Sequence, residues 1–128
     1  MAGYSGKPLA EKIGIKPTHT LYVENAPEDL DLGGHPVTTR LPKQADVLIF
    51  FTKERKKLEQ RFPTLIDRAV ANGIIWICWP KKASKVATDL DENIVREIGL
   101  DAGVVDVKVA AIDEVWSGLK FVRRLRDR

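Results

Sequence analysis

Two short stretches of this sequence collect the residue types that hold ligands. The first is Pro80-Lys-Lys-Ala-Ser-Lys-Val-Ala-Thr-Asp89. Lys81, Lys82 and Lys85 supply positive charge, and Ser84 and Thr88 supply hydroxyl donors. Together they suit a phosphate or carboxylate. Asp89 can orient a lysine, act as a base, or cap the next helix, and the cap is the commoner use. The second stretch is Asp113-Glu-Val-Trp-Ser117. Trp116 offers a stacking face, Asp113 and Glu114 can balance the lysines, and Ser117 adds a hydroxyl. Each has an ordinary structural use as well. The lysine loop can be a solvated surface. The tryptophan can cover the end of a sheet with its N–H on a turn carbonyl.

Other reactive types stand alone. Cys78 lies inside Ile74-Ile-Trp-Ile-Cys-Trp79, where a thiol is an inert small hydrophobe rather than a nucleophile. Trp76 and Trp79 flank it as core residues. His19 and His35 have no second histidine or cysteine at metal spacing, so no metal is expected. No Ser-His-acid set is legible. The basic segments 53–61 and 123–128 interleave with acids, which reads as solvated surface and argues against nucleic acid.

These residues must be positioned by a scaffold, and its pattern is clear. Six large residues without a polar break mark 74–79 as a strand buried on both faces, the habit of a central parallel strand under helices. Pro80 ends it, because proline cannot donate to a ladder. The lysine loop therefore leaves at the strand's carboxyl end, where open α/β sheets bind ligands. Ahead of it, Pro8 to Gly14 reads as a short helix, 20–24 as a first strand, and 36–40 as a short second one. Residues 46–52 form another buried strand, with Thr52 capping the helix that follows. That helix is expected to break at Pro63 and to close at Gly73 in a left-handed stop. Beyond the loop, a helix near 91–98, capped by Asp89 or Asp91, ends at Gly99. Val105, Val107 and Val109 alternate with polar or small residues, a period of two. The turn at 113–118 folds this strand back on 118–124. A helix between 74–79 and the alternating segment makes the crossover parallel, which brings Trp116 to the lysine rim.

The expected fold is a mostly parallel Rossmann-like three-layer sandwich with a C-terminal antiparallel hairpin. Its strand order is second strand, first strand, 46–51, 74–79, 118–124, 104–112. The length of 128 residues predicts one domain over 1–128, with 1–7 poorly ordered. A hydrophobic fraction of 44% and a charged fraction of 30% are those of an ordinary globular chain, and a net charge of +3 is only mildly basic. A single cysteine, no signal-like segment and no long apolar run predict a cytoplasmic protein with no membrane segment.

From Ala45 onward the chain resembles the C-terminal half of a methyltransferase-like Rossmann fold. Ala45-Asp46-Val-Leu-Ile-Phe, Ala71-Asn-Gly-Ile-Ile-Trp and Ile98-Gly-Leu-Asp-Ala-Gly carry the likeness. The whole chain also resembles a small bacterial family of unknown function with this shortened fold. The matching residues are Gly3-Tyr-Ser-Gly, Ile13-Gly-Ile, Trp79-Pro-Lys-Lys-Ala-Ser84 and Val115-Trp-Ser-Gly-Leu-Lys120. The methyltransferase resemblance implies S-adenosylmethionine, yet this chain departs from it at the contact groups. The turn after the first strand is Asn25-Ala-Pro-Glu28, with no glycine before Gly33, and the second strand ends in Arg40 rather than an acid. No cofactor is therefore expected.

These readings favour a small non-enzymatic binding or regulatory protein that holds an anionic small molecule or an acidic protein segment at the 80–89 and 113–120 rim. The alternatives are an atypical S-adenosylmethionine-dependent methyltransferase-like enzyme, and a homodimeric assembly module paired through the edge hairpin.

Overall fold

A computed structural model of the chain describes residues 8–128. The expectations for residues 1–7, including the Gly3-Tyr-Ser-Gly motif, lie outside that range. The elements are α1 (Leu9–Ile13), β1 (Leu21–Glu24), β2 (Ala45–Phe51), α2 (Arg55–Arg68), β3 (Ala69–Pro80), α3 (Glu92–Ala102), β4 (Val104–Ala111) and β5 (Trp116–Arg123). Single 3-10 turns span Lys82–Ser84 and Leu125–Asp127.

The five strands form one sheet in the order β1-β2-β3-β5-β4. β1, β2 and β3 pair in parallel. β5 is antiparallel to both β3 and β4, so β4 runs with the first three strands. This is the order the sequence predicts, with one reduction. The second strand at 36–40 shrinks to a single parallel bridge between Thr38 and Tyr22. Pro36 has no N–H to give a ladder, and the chain bends away at 39–40.

The unbroken apolar run of β3 has its explanation in two cores. Ile75, Ile77 and Trp79 face one of them, with Leu58, Phe62 and Leu65 of α2 and Val95 and Ile98 of α3. Trp76 and Cys78 face the other, with Ile13 of α1 and Leu32 of the loop after β1. Each such aliphatic or aromatic side chain contributes about 1.5–3 kcal/mol when fully buried. Among the described residues, the second face is covered by α1 and that loop. The indole of Trp76 donates to the Ile13 carbonyl at 3.0 Å, which pins α1 to the sheet.

Several local expectations change. α2 runs unbroken through Pro63. The ring sits on the exposed side, where water can serve the Glu59 carbonyl that loses its partner. Gly73 is not a helix stop. It lies buried in β3, at a bulge where Ala45 pairs with Ala69 but Val47 pairs with Ile74, and a Cβ there would meet the Val70 carbonyl at 2.8 Å. Gly99 does not end α3 either. The helix continues to Ala102, and Gly103 makes the left-handed cap at φ 102°. Gly99 is needed for packing: a Cβ there would lie 2.1 Å from Cε1 of Phe121. The period of two in β4 is interrupted by a bulge between Asp106 and Lys108, and Val107 and Val109 of this edge strand are exposed. Thr52 serves the start of α2 indirectly, its Oγ1 accepting from the N–H of Glu54, the N-cap residue.

Candidate functional site

The two candidate stretches meet at one rim of the sheet. Pro80 stands opposite Trp116 in the β3–β5 register. The N–H of Lys81 donates to the Val115 carbonyl at 2.9 Å. Trp116 meets Phe51 edge to face, with ring centroids 5.2 Å apart. β2 and β3 end here with their carboxyl termini, as the parallel crossover requires.

The lysine loop is tied down by its own hydroxyls. Ser84 donates from Oγ to the Lys81 carbonyl at 2.7 Å and accepts from the Val86 N–H at 3.2 Å. Lys85 takes a left-handed conformation at φ 60° to close the turn. Thr88 donates to the Lys53 carbonyl at 2.6 Å. Asp89 does cap a helix, but not the one that follows it. Its Oδ1 accepts from the N–H of Arg55 in the first turn of α2 at 2.7 Å. α3 is capped instead by Asp91, which accepts from the Ile94 N–H at 2.8 Å. The loop therefore leans to the α2 face. Among the described residues, no carboxylate pairs with Lys81, Lys82 or Lys85.

The opposite turn belongs to the other face. Oδ1 of Asp113 accepts from the N–H groups of Val115 and Trp116 at 2.8 and 2.7 Å, an Asx turn that sets the hairpin. Trp116 packs against the core on the α1 side. Ser117 is drawn into β5, in register with Trp79 and Ala111. A cavity of about 300 Å³ is lined by Pro27, Asp29, Asp113, Glu114, Val115 and Trp116. The rim is thus divided: Thr88 and Asp89 tie the far end of the lysine loop to the start of α2, while carboxylates gather around Trp116.

A second polar group at the same rim escapes the sequence patterns. At the end of β1, Glu24 accepts from Arg61 of α2 at 2.7 and 3.0 Å, and the Tyr22 hydroxyl donates to the same oxygen. Burial first, and then the bond to Glu24, raise the Tyr22 pKa. These groups border a cleft of about 330 Å³ with Asn25, Phe50, Lys57, Gln60 and Thr64. It opens where the chain crosses from one side of β1 to the other, the place of a topological switch point. The signal available in the sequence was an acid at a strand end and an arginine among the charges of the following helix. Asn25 itself turns the chain at φ 59°, with Nδ2 donating to the Phe51 carbonyl at 3.3 Å. Asparagine thus meets the left-handed turn without a glycine.

Cys78 is fully buried, and burial followed by the charge of Asp113 pushes its pKa well above 9.0. His35 bridges the carbonyls of Pro36 and Lys16, and His19 accepts from the Lys16 N–H. Among the described residues, no group of histidine, cysteine and acids is placed to hold a metal ion. No helix among them is long and apolar enough to cross a membrane.

Comparison with known proteins gives a fold and no nearer relative. No family model matches the chain, and no curated protein matches it. Solved structures do share its architecture. The ribosomal protein L11 methylase from Lactobacillus delbrueckii subsp. bulgaricus superposes with a TM-score of 0.58 at 11% identity, covering 91% of this chain and 75% of that one. Magnesium protoporphyrin IX methyltransferase from Synechocystis PCC 6803 with bound SAM gives 0.57 at 16% identity, covering 82% and 60%. The same enzyme with bound SAH gives 0.53 at 15% identity, covering 69% and 50%. This chain is an α/β protein of the methyltransferase-like Rossmann fold. It spans half to three-fifths of the length of the Synechocystis structures.

Proposed function

We propose that this chain is a binding protein without a reaction of its own, holding an anionic small molecule or an acidic protein segment at the strand-carboxyl rim. The observation that carries the reading is the bond from the Lys81 N–H to the Val115 carbonyl, which joins the 80–89 loop to the Trp116 turn. Beside it stand three lysines with no carboxylate partner among the described residues. The anionic group meets Lys81, Lys82 and Lys85 on the α2 side, with Ser84 and Thr88 near it. A planar body can extend over Trp116, while Asp113 and Ser117 shape the wall. Asp89 supports this site by holding the loop on α2. Exposed charge pairs contribute about 0.2–1 kcal/mol each. Replacing all three lysines with alanine is therefore expected to weaken binding about 3- to 150-fold, with binding that also falls as salt rises. Isothermal titration against nucleotides, sugar phosphates and acidic peptides tests this. Affinities unchanged in the triple variant overturn it.

The fold likeness supports a second reading, an S-adenosylmethionine-dependent methyltransferase-like enzyme with an atypical donor site at the cleft beside Glu24 and Asn25. Against it stand the turn Asn25-Ala-Pro-Glu28 and the loop that follows β1 in place of a helix, since a helix N-terminus is what usually cradles such a ligand's acid group. Equilibrium dialysis with labelled S-adenosylmethionine separates the readings. Retained label that is lost in Glu24→Ala favours the enzyme.

A further inference from the structure

On the α1 face, away from the lysine loop, two lysines oppose each other across the β4–β5 pair. Lys108 and Lys120 are directly in register. Side chains so placed have Cβ atoms about 4.5–5.5 Å apart, and like charges there repel. Lys108 spends one of its three N–H donors on the Lys12 carbonyl at 3.1 Å. Lys120 is half-buried beside Trp76, its Nζ 3.9 Å from where a side chain on Gly14 would begin. It donates to no acceptor among the described residues, and neither lysine meets a carboxylate. Glu11, the acid of α1, pairs with neither. Lys12 brings a third ammonium close by, bonded to the Ala111 carbonyl at 3.0 Å. Burial, and then the charge of Lys108, hold Lys120 below the ordinary lysine range.

Two ammoniums in register without a counter-charge work against the fold unless something negative joins them. The last carbonyls of α1 do not bar an anion, because Lys12 and Ile13 already accept from Lys108 and Trp76. We propose that Lys108 and Lys120 form a binding site for a tetrahedral dianion of the phosphate type, free or as a terminal monoester, beside the C-terminal turn of α1. Lysine suits this role as a point charge with rotatable donors. The site is separate from the rim, since the 80–89 loop leans to α2 and these lysines lie under α1.

The test uses the full chain, with inorganic phosphate in one arm and ribose 5-phosphate in another, at ionic strength matched with chloride. Titration calorimetry and thermal melting are read for the wild type, Lys108→Met with Lys120→Met, the Lys81, Lys82 and Lys85 alanine variant of the rim, and the two sets combined. Phosphate's general stabilising effect acts on all alike, so the difference between variants is the readout. Any part of the response lost in the rim variant belongs to the 80–89 loop; a part that persists there, and is weakened at least tenfold when Lys108→Met with Lys120→Met is added to that variant, is the expected result. The double variant is also expected to melt higher than the wild type without phosphate, because the repulsion is gone. If it fails to fold, Lys108→Ala at the exposed edge is expected to weaken the response at least threefold. No response in the wild type, or one undiminished in these variants, overturns the proposal.

Discussion

The carboxylate of Asp89 accepts a hydrogen bond from the backbone N–H of Arg55, 34 residues earlier in the chain, at 2.7 Å. One of the orphan donors at the start of α2 is thereby satisfied by the loop that leaves β3. The same loop is held by Thr88 on Lys53. A helix cap and a candidate ligand loop are one construction, and stability and binding should respond to it separately. Asp89→Ala is expected to cost about 1 kcal/mol in urea denaturation, while Asp89→Asn, which can still accept the bond, costs less. Equal losses in the two variants would show that the cap contributes nothing.

Trp76 is expected to matter through its nitrogen as well as its bulk. Trp76→Phe leaves the Ile13 carbonyl without its partner and removes part of a buried ring. The cost is expected at about 1–3 kcal/mol. Hydrogen exchange should then quicken in α1 more than in α2, because this bond ties α1 to β3. Uniform quickening would contradict that role.

Gly99 tests whether packing outranks helix propensity. Alanine would gain about 1 kcal/mol inside an unhindered helix. Here its methyl would stand 2.1 Å from Cε1 of Phe121, a ring that is fully buried and has no room to swing. Overpacking of this kind costs about 1–3 kcal/mol. Gly99→Ala is therefore expected to destabilise, and Phe121→Leu in the same chain is expected to cost less than the sum of the two single changes. Additive losses in denaturant melts would refute the contact.

Cys78 gives the pH prediction. Its thiol pKa is raised in the folded chain, first by burial and then by Asp113. Above the ordinary value of 9.0 the unfolded chain has released the proton while the folded chain keeps it. Stability from this group is thus full below 9.0 and declines as pH rises above it toward the folded value. Cys78→Ala should flatten that decline, while lowering stability at neutral pH through the small cavity it leaves. In the native protein the thiol should react with a disulfide reagent only at the rate of unfolding. Rapid labelling at pH 8 in the folded state would disprove the burial.

Much of the frame was legible because it rests on local periodicity. The run from Ile74 to Trp79 could only be a strand covered twice, and Pro80 could only end it at the sheet's rim. The alternating valines and the turn at Asp113 implied the hairpin, and α3 between β3 and β4 implied the crossover that brings Trp116 to Lys81. The errors were at punctuation. Gly73 and Gly99 looked like stops because glycine so often ends helices, yet one sits in a strand bulge and the other makes room for Phe121. Neither reason is visible without the neighbour across the fold.

The order and direction of the strands, the buried tryptophans and the shared rim follow from the amino-acid sequence itself, since burial patterns of period two and short-range breakers settle them. The tertiary structure alone decided that the lysine loop leans to α2 while the acids gather at Trp116, that Glu24 holds Arg61, and that Lys108 opposes Lys120. The Lys108–Lys120 and Glu24–Arg61 pairs join residues 12 and 37 positions apart. They depend on strand register and helix docking, which the packing of the whole core sets and no local pattern encodes.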